Sequence, residues 1–326
     1  MRFAATLLFC ASLSLQAAPA FAGPILDRIK AAGVVRCGGV ARPGLVQIEP
    51  DGKAHGLELD LCRAIASVVL GSDGRLEFTN YDSEKAFAAA RAGHEDVMFL
   101  TGREMVENRL AGQVIPGPAI FIETTSVMVH EDEPYKHLSE LADKPICFSL
   151  SDGHAQYHLQ AWFDAQKLAF QRMGFQEDVE MNDAYAVRYC HALAGETTTL
   201  AETAHTDKLG TMPHRYLPEA LAAYPILAST SVEDGQWAAI VAWSIDTLIR
   251  ADAPTSDWAR GGYESMPVEA PGLGLQKGWQ KKLVGLVGAY GELFDRNLGA
   301  GSELHLDRGV NGPVLEKGGF APPYYD

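Results

Sequence analysis

Residues 56–71 read GLELDLCRAIASVVLG. Leu61, Ile65, Val68 and Val69 recur at helical spacing, and Gly71 closes the run where a C-terminal cap belongs. The stretch therefore predicts an amphipathic helix, with Cys62 inside it. Upstream, GVVRCGGV (33–40) reads as a strand. Downstream, RLEFTNY (Arg75–Tyr81) alternates as a half-buried strand does. SEKAFAAARAG predicts a short helix, with Ser83 as N-cap and Gly93 just past its end. EDVMFL supplies the next strand. A βαβαβ order of this kind implies a mostly parallel sheet with right-handed crossovers.

ETTSVMVH (Glu123–His130) reads as an extended connector, after which the alternation restarts. PICFSL predicts a strand and DGHAQYHLQAWFDAQ a helix, capped by Ser151 or Asp152. A further helix leads through Cys190, and the chain extends again around Pro225–Val232. One helix then carries Trp237, Val241, Ile245 and Leu248; a second carries Leu283, Leu286, Val287, Tyr290 and Phe294. The pattern implies two α/β lobes joined by two extended crossings.

The first 22 residues, MRFAATLLFCASLSLQAAPAFA, place Arg2 before an apolar run and end on the small-x-small stretch Ala20-Phe21-Ala22. This predicts a secretory signal peptide cleaved before Gly23. The remaining 304 residues carry a formal charge of −16, since the leader removes one Arg from the net −15. Such an acidic chain disfavours nucleic acid and anionic lipid as partners. Cys37, Cys62, Cys147 and Cys190 remain, an even number in an oxidising compartment, which is read as disulfides. Three pairings are open. Cys37–Cys62 and Cys147–Cys190 are favoured, because each joins neighbouring elements of one βαβ-like unit. There is no CxxC and no close Cys–His spacing, and His154 with His158, at i and i+4, supplies only two ligands, so no metal and no cofactor are expected.

Longer phrases are more specific. LDRIKAAGVVRCGG, GLELDLCRAIASVVLG, RAGHEDVMF, GQWAAIVAWSIDTLIRAD and LVGAYGELFDRNLGAGSELHLDRGVNGPVLEKGGFAPP together resemble the periplasmic solute-binding proteins of ABC transporters, of the polar and general L-amino-acid type (family 3). The resemblance covers nearly all of residues 25–323. It implies the type II periplasmic binding protein fold: lobe 1 from 23–130 and 225–326, lobe 2 from 131–224, with two hinge crossings. It implies the same two disulfides, each tying a strand to a helix within one lobe. It also implies a monomer, not an enzyme, that captures a polar amino acid or related amine-carboxylate and delivers it to an inner-membrane permease.

The resemblance also points to site residues. A zwitterionic ligand needs a guanidinium for its carboxylate, backbone N–H groups to complete that anion site, and a carboxylate for its ammonium. In FLTGREMVENRLAG, Arg109 lies closest to the carboxylate-binding Arg, with Arg103 as its rival and Thr101 supplying a hydroxyl. Ser151 and Gly153 stand where the second-lobe anion motif falls, although Asp152 adds an opposing charge. CHALAGE places Glu196 at the ammonium-binding position. Pro43-Gly44-Leu45-Val46 replaces a common pocket aromatic, and Asp82 reads as a surface turn. Two other readings use the same scaffold: an accessory interaction protein, or a dehydratase-like enzyme using Glu196 with His154 or His191 for proton transfer.

Overall fold

The computed structural model describes residues 23–49, 52–71, 74–110, 112–151, 153–205, 209–252 and 271–312. The expected leader, Asp152 and the C-terminal stretch from residue 313 lie outside them. The chain first builds α1 (Pro24–Ala32), β1 (Val34–Val40), β2 (Gln47–Ile48), β3 (Ala54–His55), α2 (Leu57–Leu70), β4 (Arg75–Tyr81), α3 (Ser83–Ala92), β5 (Val97–Thr101), α4 (Gly102–Glu107) and β6 (Val114–Ile115). It continues with β7 (Ala119–His130), β8 (Pro145–Ser149), α5 (Gly153–Gln166), β9 (Gln171–Phe175), α6 (Asp178–Ala186), β10 (Ala192–Glu196), α7 (Thr197–Ala204) and β11 (His214–Tyr216). Then come β12 (Ala222–Ser231), α8 (Gly235–Ala251), α9 (Trp279–Val287) and α10 (Tyr290–Asn297).

The opening stretch forms α2. Gly56 precedes it with φ +133°, and a Cβ there would overlap the carbonyl oxygen of Leu45, so only glycine fits the turn. Leu57, Leu61 and Ile65 are buried on the inner face, with Val68 and Val69 packed against the same core. Cys62 is buried on that helix and bonded to Cys37 of β1, with Cα atoms 6.3 Å apart. The second bridge joins Cys147 of β8 to Cys190, with Cα atoms 5.7 Å apart.

Three local expectations change. The helix before Cys190 stops at Ala186: Arg188 takes φ +60°, and the amides of Val187, Arg188 and Tyr189 turn back onto Asp183, Tyr185 and Ala184. Cys190 therefore lies in the bend before β10, and its bridge ties a strand to that bend rather than to a helix. The helix expected through Leu283 and Phe294 is two helices. Gly288, at φ +90°, breaks it, and Glu292 accepts from the amide of Ala289 at 2.8 Å to start α10. Asp82, with extended backbone, precedes α3, so the cap stands one residue before Ser83.

One ten-stranded sheet runs β4-β1-β5-β12-β7-β10-β8-β9, with β6 on β12 and β11 on β7. The outer pairs β1–β4, β1–β5, β8–β9 and β8–β10 are parallel; β7 and β12, in the middle, run antiparallel to their neighbours. The two crossings are thus paired strands rather than bare connectors, with Glu123 opposite Tyr224 and Thr125 opposite Ala222. The apolar cores divide on either side. Val35, Leu61, Phe99, Phe121, Ile226 and Trp237 pack in one; Val127, Val129, Ile146, Leu159, Phe163 and Ala194 pack in the other.

Replacing Cys147 and Cys190 together by Ser is expected to lower stability by about 2–4 kcal/mol, read as a lower urea midpoint than that of the oxidised protein. An unchanged midpoint would show that the bridge adds nothing to the second lobe.

Candidate functional site

In open α/β sheets, ligands bind in the crevice outside the carboxyl ends of the strands. Here those ends carry Arg42 after β1, Thr101 to Glu104 after β5, Ser149, Ser151 and Gly153 after β8, and Glu196 to Thr198 after β10. Thr101 caps α4. Its hydroxyl accepts from the Glu104 amide at 3.1 Å, and Glu104 Oε2 accepts from the Thr101 amide at 3.0 Å. Arg103, in the first turn of α4, reaches the second lobe: its Nη1 lies 2.7 Å from His154 Nδ1, next to Gly153 at the start of α5. Its Nε donates to Glu107 at 2.6 Å. Ser151 is exposed and shares a hydrogen bond of 2.7 Å with Ser149.

Arg109 is not brought to this group. It stands exposed past the far end of α4, roughly 10 Å along the helix from Thr101, in a turn with φ +54°. The amides of Arg109 and Leu110 fold back onto Val106 and Met105, which fixes that turn.

Arg42 sits at the centre of the charges. Its Nη2 is 3.4 Å from Glu104 Oε1, and Glu58 and Glu196 lie within electrostatic reach. Burial works against its charge, but these carboxylates more than offset that and hold its pKa above the ordinary arginine value. Its Nη1 is buried without a hydrogen-bond partner. Glu58, in the first turn of α2, is fully buried, and neither carboxylate oxygen has a partner. Gly39 makes the room, since a Cβ there would overlap Glu58 Oε2. Burial pushes the Glu58 carboxyl up to about 8, with Arg42 pulling against this and Glu104 adding to it.

Glu196 ends β10 and precedes α7; its Oε1 accepts a short hydrogen bond from the Tyr224 hydroxyl of β12. Burial, then the negative charge of Glu196, raises the Tyr224 pKa far above the phenol range. Glu123, buried in β7, accepts from the amides of Thr124 (2.9 Å), Thr197 (3.1 Å) and Thr198 (3.4 Å) and from the Thr198 hydroxyl (2.5 Å). Burial, with Glu196 adding, raises its carboxyl to about 7, against the pull of the Thr hydrogen bonds. A cavity of about 950 Å³ opens beside Arg42, between the first lobe and α7. Of the residues expected from sequence, none of Thr101, Arg109, Ser151, Gly153 and Glu196 lines it.

The proton-transfer reading finds less support. His191 precedes β10 and pairs with Glu133 at 3.5 Å, while Glu196 ends the same strand, roughly 16 Å away. Among the described residues, no group of three or more His, Cys, Asp or Glu is placed to hold a metal ion.

No protein-family model matches the chain. Among curated proteins, it is 28% identical to the general L-amino acid-binding periplasmic protein AapJ of Rhizobium johnstonii, over 96% of both chains. It is 26% identical to the putative amino-acid ABC transporter-binding protein YhdW of Escherichia coli, over 98% of both. Over nearly its whole length the chain is similar to periplasmic amino-acid-binding proteins of ABC transporters. Its fold matches that of a solved ABC transporter periplasmic binding protein from Brucella ovis with glutathione bound, at a TM-score of 0.66 and 23% identity, over 88% of this chain and 94% of that one. The charges around Arg42 come from both halves of the sheet: Glu58 and Glu104 on one side and Glu196 on the other.

Sequence reasoning missed Arg42, Glu58, Glu104, Glu123 and Tyr224. One signal was present for Glu58: GLELD puts two carboxylates into the first turn of a helix whose other residues there are apolar, so one of them faces the interior. Arg42 directly precedes the Pro43-Gly44 turn but carries no pattern of its own.

The Glu58 carboxyl titrates near 4.5 when unfolded and near 8 when folded. The folded state holds the extra proton across that window, so stability falls as pH rises from about 4.5 through about 8. Glu58→Gln is expected to flatten this profile and to be more stable than the natural protein by a few kcal/mol above pH 8. Urea unfolding at low and high pH tests this; equally steep profiles for the two proteins overturn the assignment.

Proposed function

We propose that the protein captures a polar amino acid or a related amine-carboxylate between its lobes and presents it to an ABC permease in the inner membrane. The observation that carries this reading is the meeting of Glu196, from the second lobe, with Arg42 and Glu104, from the first, at the carboxyl ends of the strands. With Glu58 protonated at neutral pH, Arg42 is matched by Glu104 and Glu196, which leaves the cluster net negative and suited to an ammonium group. Glu196 takes the ammonium. Arg103 takes the carboxylate in place of Arg109, because it alone of the two reaches the start of α5, where the Gly153 amide and Ser151 assist. Thr101 positions α4 through its cap.

The names of the relatives support an amine-carboxylate ligand, a permease partner and the periplasm. The expected leader supports export, and no helix among the described residues is long and apolar enough to cross a membrane. The cores support two lobes near the proposed division of 23–130 with 225–326 against 131–224, although Val127 and Val129 pack in the second core and Ala201 in the first. The names of the relatives, which are those of binding proteins, support action by binding rather than by catalysis.

A ligand that binds only the folded state adds about 2.7 kcal/mol at a hundredfold excess over its Kd. Thermal unfolding with amino acids, their short peptides, amines and small organic acids is expected to show such stabilisation with amine-carboxylates. The shift given by free amino acids should vanish in Glu196→Gln and Arg103→Ala and persist in Arg109→Ala. No shift with any amine-carboxylate overturns the reading; loss in Arg109→Ala but not in Arg103→Ala returns the carboxylate to Arg109.

A further inference from the structure

The charge cluster and the cavity share one residue, Arg42. From it the cavity continues between the two lobes. Asn80 and Arg296 stand on the first-lobe wall, and Glu202 and His205 of α7 stand opposite. At its edge the His205 ring meets the His305 ring edge-on at 5.5 Å, so the lobes touch there. About 950 Å³ is at the upper end of the roughly 300–1,000 Å³ of pockets that enclose drug-sized molecules, well beyond what a free amino acid fills. Its walls are built for a polar, extended occupant. Arg296 is held by Asp60, with Nη2 donating at 2.9 Å and Nε at 3.1 Å, so its guanidinium has a fixed place. Arg42 Nη1, buried and without a partner, is a donor that the protein itself does not use.

We infer that the solute site runs from Glu196 past Arg42 into this cavity, and that it takes unblocked peptides of two or three residues in preference to free amino acids. The inference rests on the capture of amine-carboxylates proposed above. Glu196 holds the peptide's terminal ammonium, Arg42 Nη1 donates to a backbone carbonyl, and the terminal carboxylate lies toward Arg296 and Asn80. A free amino acid meets only the first of these and leaves the cavity to water.

The test is calorimetric titration of the full chain with L-alanine and L-glutamate and with unblocked Ala-Ala, Ala-Glu and Ala-Ala-Ala. Two variants fill the cavity from opposite walls, Glu202→Trp and Asn80→Trp, both at exposed positions. The expected result is that at least one peptide binds tenfold or more tighter than either amino acid, and that each folded variant weakens peptide binding at least tenfold. Amino acids that bind as tightly as every peptide, or peptide binding indifferent to both Trp variants, overturn the inference and leave amine-carboxylate capture standing. Binding of neither class, with the natural protein folded, overturns both.

Discussion

Glu123 lies in the middle of a strand that passes from one lobe to the other, and it is buried there. A carboxyl group in such a place must find hydrogen-bond partners within the protein. Its partners are the first amides of α7 and the Thr198 hydroxyl, so the crossing strand grips the start of the helix that follows Glu196. The second crossing grips the same spot, because Tyr224 of β12 donates to Glu196 itself. Glu196 is thereby tied to both crossings as well as to its own lobe.

The first lobe solves a different problem. Arg42 brings a charge into a nearly buried setting, and three Glu side chains surround it. Each is positioned by something other than Arg42. Glu104 is held by the α4 capping box, Glu196 by Tyr224, and Glu58 by its place in the buried first turn of α2. The cluster is therefore preorganised rather than collapsed around an ion pair. Proton uptake by Glu58 removes the charge that the interior can least accommodate.

The architecture was largely legible because it is written in local patterns. The spacing of Leu61 and Ile65, the glycine after each early helix and the paired cysteines are nearest-neighbour facts, and the resemblance of whole phrases fixed their order. The site was legible only in part. Glu196 and Thr101, which the structure puts at strand ends, were picked out by their distance from Cys190 and from a strand end. Arg109 and Arg103 could not be separated, since six residues decide which end of a single short helix faces the cleft, and the T-G-R-E capping box sets that register. Arg42, Glu123 and Tyr224 are joined to Glu104, Thr197 and Glu196 across 62, 74 and 28 residues. No periodicity in a single chain reports such distances. The break at Gly288 is the opposite case: the apolar spacing of Leu283 and Phe294 reads as one continuous helix, and one glycine's backbone freedom decides otherwise.

Both disulfides lie within one lobe or the other, and neither spans the crossings. Among the described residues, Arg103 against His154 and His205 against His305 are non-covalent contacts between the lobes. Arg103, His205 and His305 are exposed and His154 is half-buried, and exposed charged pairs contribute only about 0–1 kcal/mol. A conformational equilibrium shifts only by the difference in a ligand's affinity for the two states. If the solute is held as proposed, by Glu196 and by Arg42 from the other lobe, it meets both only when the two are brought together. In that proposal the unused donor of Arg42 has a purpose: a partner supplied by the protein would join the lobes without a solute, whereas one supplied by the solute joins them only when it is bound.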